Sequence, residues 1–307
     1  MSKKMLFVFN PHSGKAQIKN HLCDILDIFT KGGYDVTVRP TQAPLDAYET
    51  IKNTANNYDI VAVSGGDGTL NEAVRGMMAF PPDLRRHIGY IPAGTVNDFA
   101  SNLGIPKNML DAAKTIVDGC DVKCDIGQFN GRSFNYVAAF GAFTDVSYNT
   151  PQIAKNLFGH TAYFVEGVKR LTNIETTHVK LTYDNNFIEG NYLVGLVLNS
   201  THVAGLELNE YYNVNLNDGI FEIALIELPE NIMQIGSIIN TVKNGGTEGI
   251  GFKVVHASNM HFEMDTDVKW TLDGEFGGEF KIANIEVNQS AVSFISSKNH
   301  LTVGKRL

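Results

Sequence analysis

The sequence predicts an α/β plus all-β fold. A parallel-sheet, nucleotide-binding α/β domain comes first, followed by an antiparallel, sandwich-like β domain. Three observations carry this expectation. Short β-rich apolar runs at 5–9, 35–39, 60–63 and 88–92 alternate with segments of helical spacing, the order of right-handed βαβ units. Beyond about residue 125 the helical periodicity gives way to alternating runs bounded by turn residues. The 307 residues are also too many for one small core and fit two domains.

Residues 5–9 read as a buried strand leading into Asn10-Pro11-His12-Ser13-Gly14-Lys15. This loop looks like a phosphate loop, but it lacks the spaced first glycine and the Lys-Ser/Thr pair of a Walker A sequence. Ile18, Leu22, Ile25, Leu26 and Phe29 then recur at helical spacing, and Lys31-Gly32-Gly33 stops the helix. Residues 35–39 alternate as a second strand, and 43–55 form a helix. The run 60–63, apolar enough to be buried on both faces, ends in Ser64-Gly65-Gly66-Asp67-Gly68-Thr69, and Leu70, Ala73, Val74, Met77 and Met78 continue as a helix. Glycine at three of four positions lets the chain turn sharply and lets a ligand approach the backbone without meeting a Cβ. The helix that follows offers free N–H groups and a positive dipole end, which favour phosphate. A carboxylate such as Asp67 is tolerable beside phosphate when a cation, Mg²⁺ above all, lies between them. A tight strand-to-helix turn with a surface Asp explains the same residues without a ligand. The loop 10–15, Thr41 and the turn 65–69 all fall just beyond strand carboxyl ends, where such sheets bind ligands.

Residues 88–92 form a fourth strand and run into a second glycine turn, Ala93-Gly94-Thr95-Val96-Asn97-Asp98-Phe99-Ala100. A helix at 110–117 ends at Gly119, and Asp125 stands at a strand edge. Alone, Asp98 reads as a first-turn carboxylate and Asp125 as a turn residue. Strands are expected next at 134–140, 178–183, 192–198, 219–226, 253–264, 268–272, 279–282 and 291–295, with one helical stretch at 152–171. The expected domains are 1–125, binding nucleotide, and 126–290, rich in β and binding substrate; a C-terminal strand and tail at 291–307 can return to the first. Asp273-Gly274, between alternating strands, reads as a hairpin turn.

A net charge of −8 argues against nucleic acid as a partner, since phosphate backbones are held by clustered Lys and Arg. Lys19, Lys31, Arg75, Arg85, Arg86, Lys155, Lys169 and Arg170 could form a local basic face, although scattered solubilising charge is the default. Cys23, Cys120 and Cys124 lack paired spacing and read as reduced thiols; Cys120 and Cys124 sharing a helix face could bind metal, but two thiols without His are more often simply buried. No run reaches the roughly 20 apolar residues of a membrane span, and the first residues do not form a signal peptide. A cytoplasmic protein is expected.

Taken together, these residues resemble the diacylglycerol kinase catalytic-domain family, which includes soluble bacterial lipid kinases and sphingosine kinases. The resemblance rests on 10–15, on Gly65-Gly66-Asp67-Gly68-Thr69 with Asn71-Glu72, and on Pro92 to Ala100. Asn217-Asp218-Gly219 and Leu272-Asp273-Gly274-Glu275 extend it through the β half. It implies a fold with the active site between the domains, where ATP lies over Asn10, Ser13, Lys15, Thr41, Gly65, Gly66, Gly68, Thr69, Glu72, Gly94 and Thr95. It further implies Mg²⁺ held through a network of water and Asp67, Asp98 and Asp125. The general base for the acceptor hydroxyl becomes Glu275, with Asp273 in reserve. A second, structural Mg²⁺ falls on the Asp218 side chain with the carbonyls of Asn215 and Ile220. The expected reaction passes the γ-phosphate of ATP to diacylglycerol or a related lipid, giving phosphatidic acid or its analogue. The lipid would be met at a membrane surface by a transiently peripheral enzyme, with a homodimer allowed.

The chain departs from the family pattern on the acceptor side. Ser101 stands where the family commonly has Arg, 199–205 is poorer in glycine, and 208–216 replaces a Pro-Ala segment. An aromatic helical stripe, Leu157, Phe158, Tyr163, Phe164, Val168 and Leu171, is either core or a lipid site. Two other readings stand beside the lipid kinase. An NAD kinase shares the Gly-Gly-Asp-Gly turn but not the loop 10–15 or the Asp-Gly-Glu hairpin in this arrangement. A non-catalytic nucleotide sensor would not need the aspartates and Glu275 kept together.

Overall fold

The computed structural model describes residues 2–95, 97–141, 176–200, 202–203, 206–207, 215–243 and 246–297. It divides into two compact units, Met1–Asp125 with Ser290–Leu307, and Ile126–Gln289.

The first unit alternates strand and helix: β1 Lys3–Phe9, α1 Ile18–Lys31, β2 Tyr34–Pro40, α2 Asp46–Thr54, β3 Ile60–Gly65, α3 Asp67–Met78, β4 His87–Pro92, α4 Asp98–Asn102 and α5 Met109–Asp118. The strands are parallel in the order β2-β1-β3-β4, with Met5 beside Val36 and Ile60, and Ile60 beside His87. All six residues of β3 are buried, as a central strand covered on both faces requires. Helix α1 buries Ile18, Ile25 and Phe29, and the Phe29 ring meets Phe7 of β1 edge-on at 5.5 Å. Helix α5 begins at Asn108, whose side chain accepts the Leu110 and Asp111 amides. Because the strands are parallel, their carboxyl ends all deliver loops to one edge.

The second unit is antiparallel. Strand β5 Cys120–Phe129 leads into it, followed by β6 Arg132–Phe134, β7 Val137–Gly141, β8 Thr177–Tyr183, β9 Asn186–Tyr192 and β10 Val194–Leu198. The two-residue strands β11 His202–Val203 and β12 Leu206–Glu207 pair with each other. Then come β13 Phe221–Ile226, helix α6 Ile232–Lys243, β14 Glu248–Gly249, β15 Phe252–Ala257, β16 Asn259–Leu272 and β17 Glu275–Ser296. Neighbours run β15-β13-β10-β7-β16-β17, and the β8–β9 hairpin joins the earlier part of β16. The core centres on Trp270, fully buried against Phe129, Phe140 and Phe262, with ring centroids 4.9, 4.9 and 5.3 Å away. Beyond Ser290, the end of β17 lies parallel to β4, Phe294 beside Ile88, within the first unit.

Several element expectations are corrected. The run 253–264 is two strands, broken at Ser258, whose amide and hydroxyl turn to the Asp184 carboxylate. The expected strands 279–282 and 291–295 belong to one strand of 22 residues, β17. Strand β9 and helix α6 are additional to the elements the sequence predicts. Cys120 and Cys124 lie on a strand, and Cys124 is fully buried, with burial raising its thiol pKa. The stripe 157–171 with Lys155, Lys169 and Arg170, and the tail 298–307, lie outside the described residues.

Candidate active site

In the first unit the site begins where β1, β3 and β4 end. Asn10 follows β1, its amide donating to the Ser64 carbonyl at 2.9 Å and its side chain reaching the Thr69 hydroxyl at 3.4 Å. Its Oδ1 accepts the His12 amide, which curls the chain into the loop 10–15. Gly14 has φ +54°, and a Cβ there would lie 2.3 Å from the Ala93 carbonyl oxygen. Gly14 is thereby packed against the second glycine turn. Lys15 and Thr95 are exposed, and Thr41 is tied to β1 through its amide on the Phe9 carbonyl.

The two glycine turns themselves touch. A Cβ on Gly94 would stand 2.6 Å from Gly66 Cα, and a Cβ on Gly66 would meet Ser13 Oγ and Gly94 Cα at 3.4 and 3.3 Å. Only glycine at 94 permits that approach. On Gly65 a Cβ would collide with the Thr69 side chain at 2.4 Å. Helix α3 starts at Asp67, directly after Gly66, so its first amides face this contact.

Asn97 joins the turns, a role its place in the motif did not announce. It sits at φ +56°, a conformation Asn tolerates better than most residues. Its side-chain amide grips both backbone groups of Gly94, accepting the N–H at 2.9 Å and donating to the carbonyl at 2.8 Å. Its own N–H donates to Asp67 Oδ2 at 3.0 Å. Tyr90, buried, donates to the Gly65 carbonyl at 3.0 Å; burial, with the Asp67 charge adding, holds its phenol well above the usual range and keeps it a neutral donor.

Of the aspartates, Asp67 accepts the amide of Asn97, the residue that precedes Asp98 in the chain and occupies the N-cap position of its helix. Asp98 is 8% exposed. Asp125 is fully buried and accepts the Ser290 amide at 2.6 Å. Glu72 serves the fold, because its carboxylate accepts the Leu45 and Ala47 amides at 2.9 and 3.1 Å and closes the start of α2. It therefore orders the 41–46 segment from beneath.

In the second unit Asp273 and Gly274 have φ +51° and +84°, and Leu272 pairs with Glu275, as a two-residue hairpin requires. The Asp273 carboxylate is 7% exposed and accepts the amides of Asn135, Tyr136 and Val137 at 2.7, 3.0 and 3.2 Å. Its own amide donates to the Val137 carbonyl. Glu275 is exposed at the start of β17. Two residues on, Gly277 is the extra residue of a β-bulge, between the pairs Thr271–Phe276 and Trp270–Gly278, and Arg132 Nη1 holds its carbonyl at 2.8 Å. Bulges of this kind re-aim neighbouring side chains. The loop 215–220 is closed by Asp218 Oδ1 on the Ile220 amide and by Gly219 at φ +82°. Among the described residues no group of three His, Cys, Asp or Glu side chains forms a direct metal cage.

The model of the diacylglycerol kinase catalytic domain matches residues 4–129, the segment carrying both glycine turns. The chain is 34% identical over 292 residues to a diacylglycerol kinase of Staphylococcus epidermidis (strain RP62A), covering 94% of this chain and 91% of that one. It is 35% identical over 282 residues to that of Staphylococcus aureus (strain MRSA252), covering 91% and 88%. This chain belongs to the diacylglycerol kinase family. A solved diacylglycerol kinase from Bacillus anthracis str. Sterne has the same fold, with a TM-score of 0.79, 27% identity, and coverage of 97% and 98%. The parallel first unit and antiparallel second unit are thus those of a family kinase. No helix among the described residues is long and apolar enough to cross a membrane.

Proposed function

We propose that the protein is an ATP- and Mg²⁺-dependent lipid kinase that transfers the γ-phosphate of ATP to the hydroxyl of diacylglycerol or a related lipid. The observation that carries the reading is the contact of Gly66 with Gly94, locked by Asn97 beside Asp67. Two backbone bends without side chains, next to a helix N-terminus and a carboxylate, suit a polyphosphate with its cation. Phosphoryl transfer needs positioning and charge neutralisation more than covalent chemistry from the protein.

In this reading Asn10, Ser13, Lys15, Thr41, Gly65, Gly66, Gly68, Thr69, Gly94 and Thr95 surround the nucleotide, Lys15 contributing positive charge, and Glu72 acts through the segment it caps. Asp67, Asp98 and Asp125 would hold Mg²⁺ through a water-linked network, and the ion would supply charge neutralisation at the phosphates. The lack of a direct three-ligand cage among the described residues agrees with an ion that dehydrates reluctantly. Glu275 takes the proton of the lipid hydroxyl as the new P–O bond forms and ADP leaves. Asp273, already engaged by three amides, orients the hairpin. Asp218 with the carbonyls of Asn215 and Ile220 would hold a second, structural Mg²⁺. The 1–125 domain serves the nucleotide and 126–290 the lipid, which the protein meets at a membrane surface.

Radiolabelled ATP with Mg²⁺, offered with a lipid extract or with NAD, tests this reading. Label in the organic phase is expected. A labelled dinucleotide would make the protein an NAD kinase instead, and no labelled product in either arm would leave a nucleotide sensor.

A further inference from the structure

In the first unit a leucine occupies a backbone position that favours glycine. The chain leaves β2 at Pro40 and turns through Ala43-Pro44-Leu45-Asp46, closed by the Asp46 amide on the Ala43 carbonyl at 3.2 Å. Proline is second in this four-residue turn and Leu45 third, at φ +67° and ψ 4°. Proline followed by a left-handed residue is the type II pattern, whose third position calls for Gly or Asn. Leucine there sets its Cβ against the backbone. Among the described residues, the other non-glycine positions with positive φ are Ala16, Ser290, two Asn and two Asp, so Leu45 alone brings a large apolar side chain to such a place.

The turn is clamped in this shape. Glu72 of α3 accepts the Leu45 and Ala47 amides at 2.9 and 3.1 Å, and the Asp46 carboxylate accepts the Gln42 amide at 2.7 Å. Yet Leu45 remains 47% exposed. An exposed leucine alone is ordinary, as Leu84 is at 46% without a positive φ. One that is both strained and half bare is not, because glycine would remove the clash at little loss of burial. Strain of this kind persists where a ligand makes use of it. The position indicates which ligand. Helix α3 starts at Asp67, beside the two glycine turns, and Glu72 lies five residues further on, about 7.5 Å along the axis. Leu45 is tied to that carboxylate, while Thr41, at the other end of the segment, is tied to the Phe9 carbonyl beside the loop 10–15. From phosphates at the glycine turns, Leu45 is within the reach of a nucleoside.

We infer that Leu45 is a specificity-determining residue for the nucleotide, its side chain packing against the face of the base while the glycine turns hold the phosphates. The inference rests on the ATP-dependent reading. The flat face of a base offers apolar surface that an aliphatic side chain covers without any hydrogen bond, and half-covering a leucine is worth about three- to tenfold in affinity. Such a contact needs the side chain presented at a fixed angle. A left-handed residue held by Glu72 provides that angle before the ligand arrives, so little ordering is left to binding.

The test measures binding of ATP and of inorganic tripolyphosphate, which carries the phosphates without a base, both with Mg²⁺. Calorimetry is run on the full-length wild type, Leu45→Gly and Leu45→Asn, with a denaturant midpoint for each. Both variants should bind ATP about three- to tenfold more weakly and tripolyphosphate as the wild type does. Their midpoints should be equal or higher, since Gly and Asn relieve the left-handed position. Unchanged ATP affinity in both variants overturns the inference. So does an equal loss for tripolyphosphate, which would mean the segment had lost its shape, and so does a lowered midpoint in both, which would mean the fold itself relies on Leu45. Where tripolyphosphate binds too weakly to measure, the ATP loss at an undiminished midpoint decides. Failure of the wild type to bind ATP would instead sink the nucleotide reading.

Discussion

The two units hold their polar groups by opposite means. In the α/β unit, backbone meets backbone: Gly66 and Gly94 touch because neither carries a Cβ, and one side chain, Asn97, pins the contact. In the β-rich unit a single carboxylate, Asp273, gathers three amides from a distant corner and holds the hairpin that presents Glu275. The first device leaves bare backbone where, in the proposed reading, the nucleotide binds. The second fixes the direction of a side chain. Binding needs the absence of side chains, and proton transfer needs one side chain held in place.

The largest test of that contrast is Glu275→Ala. Turnover should fall by about 10²–10⁴-fold, as for loss of a general base, with ATP affinity unchanged. Calorimetric ATP titration beside steady-state kinetics reads both; an unchanged turnover number would remove Glu275 from the chemistry. Next comes Asp273→Ala, which leaves three buried amides without their acceptor. A loss of about 2–5 kcal/mol in unfolding free energy is expected by denaturant titration, with Asp273→Asn retaining part of it. An unaltered midpoint would mean the clamp contributes nothing to the unit. The smallest expected effect on stability is that of Gly94→Ala, about 1–3 kcal/mol, because the new Cβ must displace the Gly66 turn. Its signature should lie in ATP, with weaker binding and an unchanged KM for lipid. Weakened lipid binding in Gly94→Ala would erase the division of labour between the units.

The α/β half was legible because each signal is local. Strand 60–63, its glycine turn and the helical spacing from Leu70 lie within one short stretch, and a missing Cβ is visible in the letter itself. The Asp273-Gly274 turn was legible for the same reason, both positions adopting positive φ. What Asp273 does with its carboxylate was not legible, since its amide partners lie 136 to 138 residues earlier in the chain. By its place in the sequence Glu72 belongs with the phosphate turn it adjoins, yet its carboxylate accepts amides 25 and 27 residues away and caps a helix. Helix α6 is not legible in the sequence although Asn231 accepts the Gln234 amide at its start, because the apolar run that follows also suits a strand.

The order of elements, the glycine bends and the presence of acidic side chains at turn positions were determined by the sequence alone, because φ preference and apolar period act over a few residues. The tertiary structure decided which of those acids hold the chain together. Asp273 and Glu72 spend their oxygens on amides. That choice depends on partners that only folding brings within hydrogen-bond reach.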